Sequence, residues 1–271
     1  MSNAQAPIGV FDSGLGGLTV LKEMIALLPA ESTVYFGDTG RTPYGSKSSE
    51  TIIKYALQIA RFLRAQHIKM LVIACNTASA RAYQAVCELM QIPVVEVITP
   101  GAQAAVQSTV NRKIGVIGTR ATIESDVYVD AIRRFAGPDM SINQQACPLF
   151  VSLAEEGWWH HEVTRQIADV YLQPLKQAQV DTLVLGCTHY PLLKDIIAQS
   201  AGPAVTLVDA ANRVSKRVHD ELAAHGLMNQ SDQTGNHVFY TSDSITYFQK
   251  LGSLFLGRPI HEVERIDIER F

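Results

Sequence analysis

Nothing in this chain is long and apolar enough to cross a bilayer. Its first residues carry no basic region followed by an apolar run, so no secretory leader is expected. Cysteine is scarce: Cys75, Cys87, Cys147 and Cys187 are the only four in 271 residues. No C-x-x-C or His/Cys cluster joins any of them, which argues against a disulfide scaffold, a zinc site and the usual redox dithiol. A cytoplasmic protein with reduced thiols is the expectation. Charge is also sparse, with 18% charged residues, a net charge of −3 and a pI near 6.2. No basic block or acidic tail appears, so nucleic acid and membrane surfaces are not expected partners. The one glycine-rich turn, Asp12 to Gly17, follows G-x-G-G and lacks a P-loop lysine, which gives nucleotide binding little support.

What the chain does have is one short pattern used twice. Leu71-Val72-Ile73-Ala74-Cys75-Asn76-Thr77 and Leu183-Val184-Leu185-Gly186-Cys187-Thr188-His189 are apolar runs that each deliver a cysteine and then polar groups. Such runs read as buried strands of a parallel sheet. A cysteine just past the carboxyl end of one sits where open α/β sheets place their ligand crevices.

The rest of the chain fits around these two strands. A strand over 8–11 enters the glycine-rich turn, and helical spacing follows over 18–28. Backbone N–H groups at that helix start suit a carboxylate as well as a phosphate, although the glycines also serve a simple tight turn. A strand over 34–36 leads into a polar loop, 37–45, longer than a connector needs. Helices over 49–66 and 79–90 flank the first cysteine strand, and a strand over 94–97 closes the unit. Thr99-Pro100-Gly101 punctuates the chain and the pattern restarts with Ile114 to Thr119, which echoes Ile8 to Ser13. The matching strands and the matching cysteines recur at similar offsets, which predicts a duplicated unit. Helices are expected over 125–135 and 161–178, and a strand over 205–208 ends the second unit. A helix over 209–224 follows, then strands over 238–240 and 260–266 around a helix over 242–255.

The predicted fold class is α/β, with two pseudo-symmetric doubly wound parallel-sheet domains and the active site in the cleft between them. Residues 7–98 plus 209–271 would form the domain carrying Cys75, and 99–208 the domain carrying Cys187.

Cys87, in a helical run, and Cys147 read as small buried hydrophobes. Cys75 and Cys187 stand apart because each follows a strand and precedes hydroxyl, amide or imidazole groups. Two such thiols can act as acid and base on opposite faces of one carbon: one removes a proton while the other delivers one, and the stereocentre inverts. Without a cofactor as electron sink, position and electrostatics must stabilise the carbanion.

Asp12-Ser13-Gly14-Leu15-Gly16-Gly17, Pro43-Tyr44-Gly45, Cys75-Asn76-Thr77-Ala78, Gly118-Thr119-x-Ala121-Thr122 and Gly186-Cys187-Thr188-His189-Tyr190-Pro191 occur in this order. Together they resemble the signature set of the glutamate racemases, within the cofactor-independent amino-acid racemases, from residue 8 to about 210. The resemblance implies a cytoplasmic enzyme that interconverts L- and D-glutamate for peptidoglycan, using no cofactor and no metal, with a homodimer among the assemblies that the family forms. It implies Cys75 as base for the D-enantiomer and Cys187 for the L-enantiomer, assisted by Asp12 and His189 respectively. Asp12, Ser13, Tyr44, Gly45, Asn76, Thr77, Thr119, Thr122, Thr188 and His189 would bind the substrate. Glu155 matches an acidic position near the second thiol, although the doublet leaves Glu155 and Glu156 hard to separate and a solvated helix end would also account for them. Ser152 stands where many members carry proline. Trp158-Trp159-His160-His161 reads as a domain or subunit contact. The competing readings are a racemase of aspartate or another small acidic amino acid, a non-catalytic bilobed amino-acid binder, and a thiol redox protein. A binder would survive loss of either cysteine.

Overall fold

In the computed structural model, which describes residues 3–271, the strand–helix alternation builds two parallel sheets. The first half supplies β1 (Ile8–Asp12), β2 (Thr33–Gly37), β3 (Met70–Ile73) and β4 (Val94–Glu96). The second supplies β5 (Lys113–Gly118), β6 (Ser141–Ala146), β7 (Thr182–Gly186) and β8 (Thr206–Val208). The chain then returns to the first sheet with β9 (His237–Thr241), paired to β2, and β10 (Glu264–Arg265). Every ladder is parallel. All residues of β1, β2, β3 and β7 are buried, as strands covered by helices on both faces must be.

The sheet orders are β10-β9-β2-β1-β3-β4 and β6-β5-β7-β8. The run β2-β1-β3-β4 therefore recurs as β6-β5-β7-β8, and the residues just past β3 and β7 occupy equivalent places. Those places hold Cys75 and Cys187. Strand order reverses at β1 and at β5, which opens a crevice at the carboxyl edge of each sheet.

The helices are α1 (Leu18–Leu27), α2 (Ser49–Ala65), α3 (Asn76–Leu89), α4 (Ile98–Ser108), α5 (Arg120–Ile123), α6 (Val127–Ala136), α7 (Leu149–Glu155), α8 (Glu162–Gln177), α9 (Lys194–Ala201), α10 (Ala211–Ala224) and α11 (Ile245–Leu256). The apolar faces of α2 and α3 bury Ile59, Phe62, Leu63, Ala82 and Val86 against Phe36 and Ile73. One continuous core joins the two halves, running from Leu18 and Val72 through Val97 and Ile98 to Tyr128 and Val184. Among the described residues no helix is long and apolar enough to cross a membrane.

Several elements differ from the sequence reading, which gave no helix at α7 or α9. Thr99-Pro100-Gly101 does not break the chain but lies in the first turns of α4. Proline is tolerated there, and the Glu96 carboxylate accepts the N–H groups of Ile98 and Thr99, the latter at 2.9 Å. Strand β6, Ser-Ile-Asn-Gln-Gln-Ala, carries no strand signal because a half-buried edge strand needs no apolar run. The strand expected over 260–266 shrinks to Glu264–Arg265, since only those residues meet β9.

Candidate active site

The two cysteines line one tight cavity together with Ser13, Thr42, Pro43, Tyr44, Gly45, Asn76, Thr77, Thr119, Val151, Thr188 and His189. A larger groove between β4, α4 and α10 contains neither cysteine. Of the residues read from sequence, Asp12, Thr122 and Glu155 stand one layer behind the cavity wall.

Cys75 caps the start of α3, its sulfur accepting the Ala78 N–H at 3.4 Å and its S–H donating to Ser13 Oγ at 3.4 Å. A helix start favours a thiolate. Burial works the other way, reinforced by the Asp12 charge, and pushes the thiol up to about 12. Cys75 is therefore protonated at neutral pH.

Cys187 has a different neighbourhood. Its sulfur lies 3.8 Å from His189 Nδ1, and His189 Nε2 lies 3.1 Å from Glu155 Oε1. Burial disfavours the imidazolium, but the bonds to Cys187 and Glu155 outweigh it and raise His189 to about 10. A cationic imidazole thus faces the second sulfur. Glu156 is exposed, so Glu155 is the member of the doublet that turns inward. Phe255 of α11 crosses from the first half to meet the His189 ring at a centroid distance of 5.5 Å, in T-shaped geometry.

Asp12 links the half-sites. At the end of β1 it accepts the Gly14 N–H at 2.9 Å and the Thr188 hydroxyl at 3.3 Å. Burial raises its pKa, opposed by the nearby His189 charge and by the N–H groups of Gly17 and Gly14. Across the cavity the hydroxyls of Thr77, Thr119 and Thr122 form a triangle with sides of 2.8, 3.0 and 3.3 Å. This triangle ties α3 of one half to α5 of the other.

Two glycines allow the close approach. A methyl group at Gly16 would overlap Thr188 Oγ1 and stand 2.7 Å from His189 Nδ1. One at Gly45 would stand 2.5 Å from Thr119 Cβ. The Tyr44 hydroxyl donates to Asp38, which Arg41 also holds at 2.8 Å, so the long loop is pinned beside the cavity.

Sequence reasoning missed Thr42, Pro43, Val151 and Phe255. Val151 and Phe255 are apolar residues of helical runs and look like ordinary core. Thr42 lies in the loop already singled out, and its buried hydroxyl has no partner among the described residues. Cys147 is buried as expected and Cys87 is half-buried. The aromatic cluster is local to the α7–α8 corner: Trp159 Nε1 donates to the Ala154 carbonyl at 2.9 Å, and Trp158 stacks on His161.

A family model for Asp/Glu/hydantoin racemases matches residues 8–214. The chain is 50% identical over 262 residues to a glutamate racemase of Geobacter metallireducens, and 46% identical over 265 residues to one of Neisseria meningitidis. Both alignments cover 97% of each partner. The glutamate racemase of Francisella tularensis, solved with D-glutamate, superposes with a TM-score of 0.93 at 38% identity, covering 99% of this chain and all of that one. An aspartate racemase of Picrophilus torridus shares the fold alone, at a TM-score of 0.59 and 15% identity over 81% of this chain and 94% of that one. By sequence and by architecture, this chain belongs to the Asp/Glu/hydantoin racemase family, among its glutamate racemases.

Proposed function

We propose that this cleft interconverts L- and D-glutamate by proton transfer between two thiols at Cα, without a cofactor. The observation that carries the reading is the pair of equivalent strand-end cysteines lining one cavity. With L-glutamate bound, the Cys187 thiolate takes the Cα proton. The electron pair left on Cα moves into the α-carboxylate. The Cys75 thiol then gives its proton to the opposite face, which leaves D-glutamate, a neutral Cys187 and a Cys75 thiolate. The reverse reaction exchanges the roles.

For the L-enantiomer the neutral thiol at Cys75 serves as acid, and the His189 imidazolium stands beside Cys187, the base. For the D-enantiomer, Asp12 is the group placed to assist Cys75. No lysine or arginine lines the cavity among the described residues. Ser13, Asn76, Thr77, Thr119, Thr188 and the start of α3 therefore bind the carboxylates and stabilise the charge that develops there. Tyr44, Gly45 and His189 complete the wall, and Thr122 supports Thr119.

The domain boundaries that go with this reading are 7–98 plus 209–271, and 99–208. Four unpaired cysteines support a cytoplasmic setting, where the product D-glutamate would serve peptidoglycan. The exposed strip of Leu149, Val163 and Val170 supports a homodimer, checked by sedimentation velocity.

The decisive test is Cα–H exchange in deuterated buffer from each glutamate enantiomer, for wild type, Cys75→Ser and Cys187→Ser. Wild type should racemise both. Each variant should lose racemisation and keep residual exchange only with the enantiomer served by the surviving thiol. Absence of exchange in the wild type would sink the glutamate assignment, and aspartate would be tried next.

A further inference from the structure

Tyr128 touches a chain neighbour of each cysteine. It lies in α6, fully buried, and its hydroxyl donates to Asn76 Oδ1 at 2.7 Å. Its ring packs against Gly186, where an added methyl group would come within 3.1 Å of Tyr128 Cε2. Asn76 directly follows Cys75, and Gly186 directly precedes Cys187. The hydrogen bond also crosses from the second half of the molecule to the first.

We propose that Tyr128 is a positioning residue that locks the Asn76 side chain with its NH₂ group turned to the substrate. This inference rests on Asn76 being a binding residue, as argued above. A side-chain amide has a carbonyl end and an amino end, and the two are interchangeable by rotation unless a partner distinguishes them. A tyrosine O–H must donate to something when buried. Among the described residues Asn76 Oδ1 is the one acceptor it reaches, so a rotated amide would strand the tyrosine hydrogen. Burial, and after it the charges of Glu96, Cys187 and Asp209, keep Tyr128 well above its ordinary range, so the hydroxyl holds its proton throughout the working pH range.

With Oδ1 engaged, Nδ2 has no protein partner among the described residues, and Asn76 lines the cavity. Its two N–H groups are donors for a substrate carboxylate. Because Tyr128 and Asn76 come from different halves, the amide takes this orientation only when the halves are together. Substrate recognition on the Cys75 side is thereby made conditional on a contact from the Cys187 side.

The test is a double-mutant cycle on the full-length protein, read by calorimetric glutamate binding and by kcat and KM. Tyr128→Phe keeps the ring and removes the donor, so both enantiomers should bind about tenfold more weakly. Asn76→Ala should lose at least as much, and the double variant should be no worse than Asn76→Ala alone. Additive losses, or wild-type binding by Tyr128→Phe, would overturn the proposal. Nitrogen-15 NMR of the wild type gives a reading independent of whether any variant folds. The Asn76 NH₂ resonances should shift on glutamate addition, whereas resonances unmoved by saturating glutamate overturn the assignment. Binding and exchange are separate readouts: a wild type that binds glutamate without exchanging its Cα hydrogen defeats the racemase reading alone.

Discussion

Cys75 and Cys187 hold equivalent places in the two sheets, yet their surroundings treat a proton differently. Cys75 is buried beside a carboxylate and keeps its proton; Cys187 faces an imidazolium. The His189 pKa has a measurable consequence for stability. The folded protein holds the His189 proton up to about pH 10, whereas an unfolded histidine releases it near 6.5. The stabilisation is thus complete below about 6.5 and is lost as pH rises towards 10. The melting-temperature gap between wild type and His189→Gln should shrink steadily from pH 6 to pH 10 in scanning calorimetry; a pH-independent gap would contradict the assigned ionisation. Steric constraint is as sharp at Gly16. Gly16→Ala must displace Thr188 or His189, and a shift of about 1 Å at a catalytic group costs on the order of 100-fold. We expect that loss in kcat/KM with an unchanged far-ultraviolet circular dichroism spectrum. The cysteines were legible in sequence because they follow apolar strands, and His189 through the motif it shares with the family, whereas the inward turn of Glu155 depends on where α7 ends.

Among the elements, α2 shows how local signals and packing divide the work. Ser48 accepts the Thr51 N–H at 3.3 Å and starts the helix, while Ile59 is fully buried beneath it. Ser48→Ala should lower stability by about 1 kcal/mol. Ile59→Ala should lower it by about 2–5 kcal/mol, because it removes transfer energy and leaves a cavity. Urea unfolding checks both, and glutamate affinity should stay at the wild-type value, since neither residue lines the cleft. The cap and the apolar face of α2 are written in its own residues. Strand β6 and helix α4 are not: β6 pairs only because β5 lies beside it, and α4 tolerates Thr99-Pro100-Gly101 because Glu96 receives its first N–H groups.

The whole molecule is closed by its own tail. Strand β9 covers the edge of β2, and α11 carries Phe255 across to the second half-site. A chain ending at Gly235 would expose the unpaired edge of a buried parallel strand. We expect that truncation to aggregate on size-exclusion chromatography, while the full chain elutes as a defined species. A monodisperse truncated protein would show that the tail is dispensable to the sheet.

The residues by themselves determined that this is an α/β chain, that its unit is duplicated, and that Cys75 and Cys187 are its chemical pair. Local periodicity and the chemistry of single residues are enough for that, because buried strands need apolar runs and thiols need polar neighbours. Only the tertiary structure decided that Glu155 backs His189, that Thr42 and Val151 share the cavity, and that Tyr128 holds Asn76. Those contacts join residues far apart in the chain. Their partners are chosen by how two sheets and their helices pack, and no local pattern carries that choice.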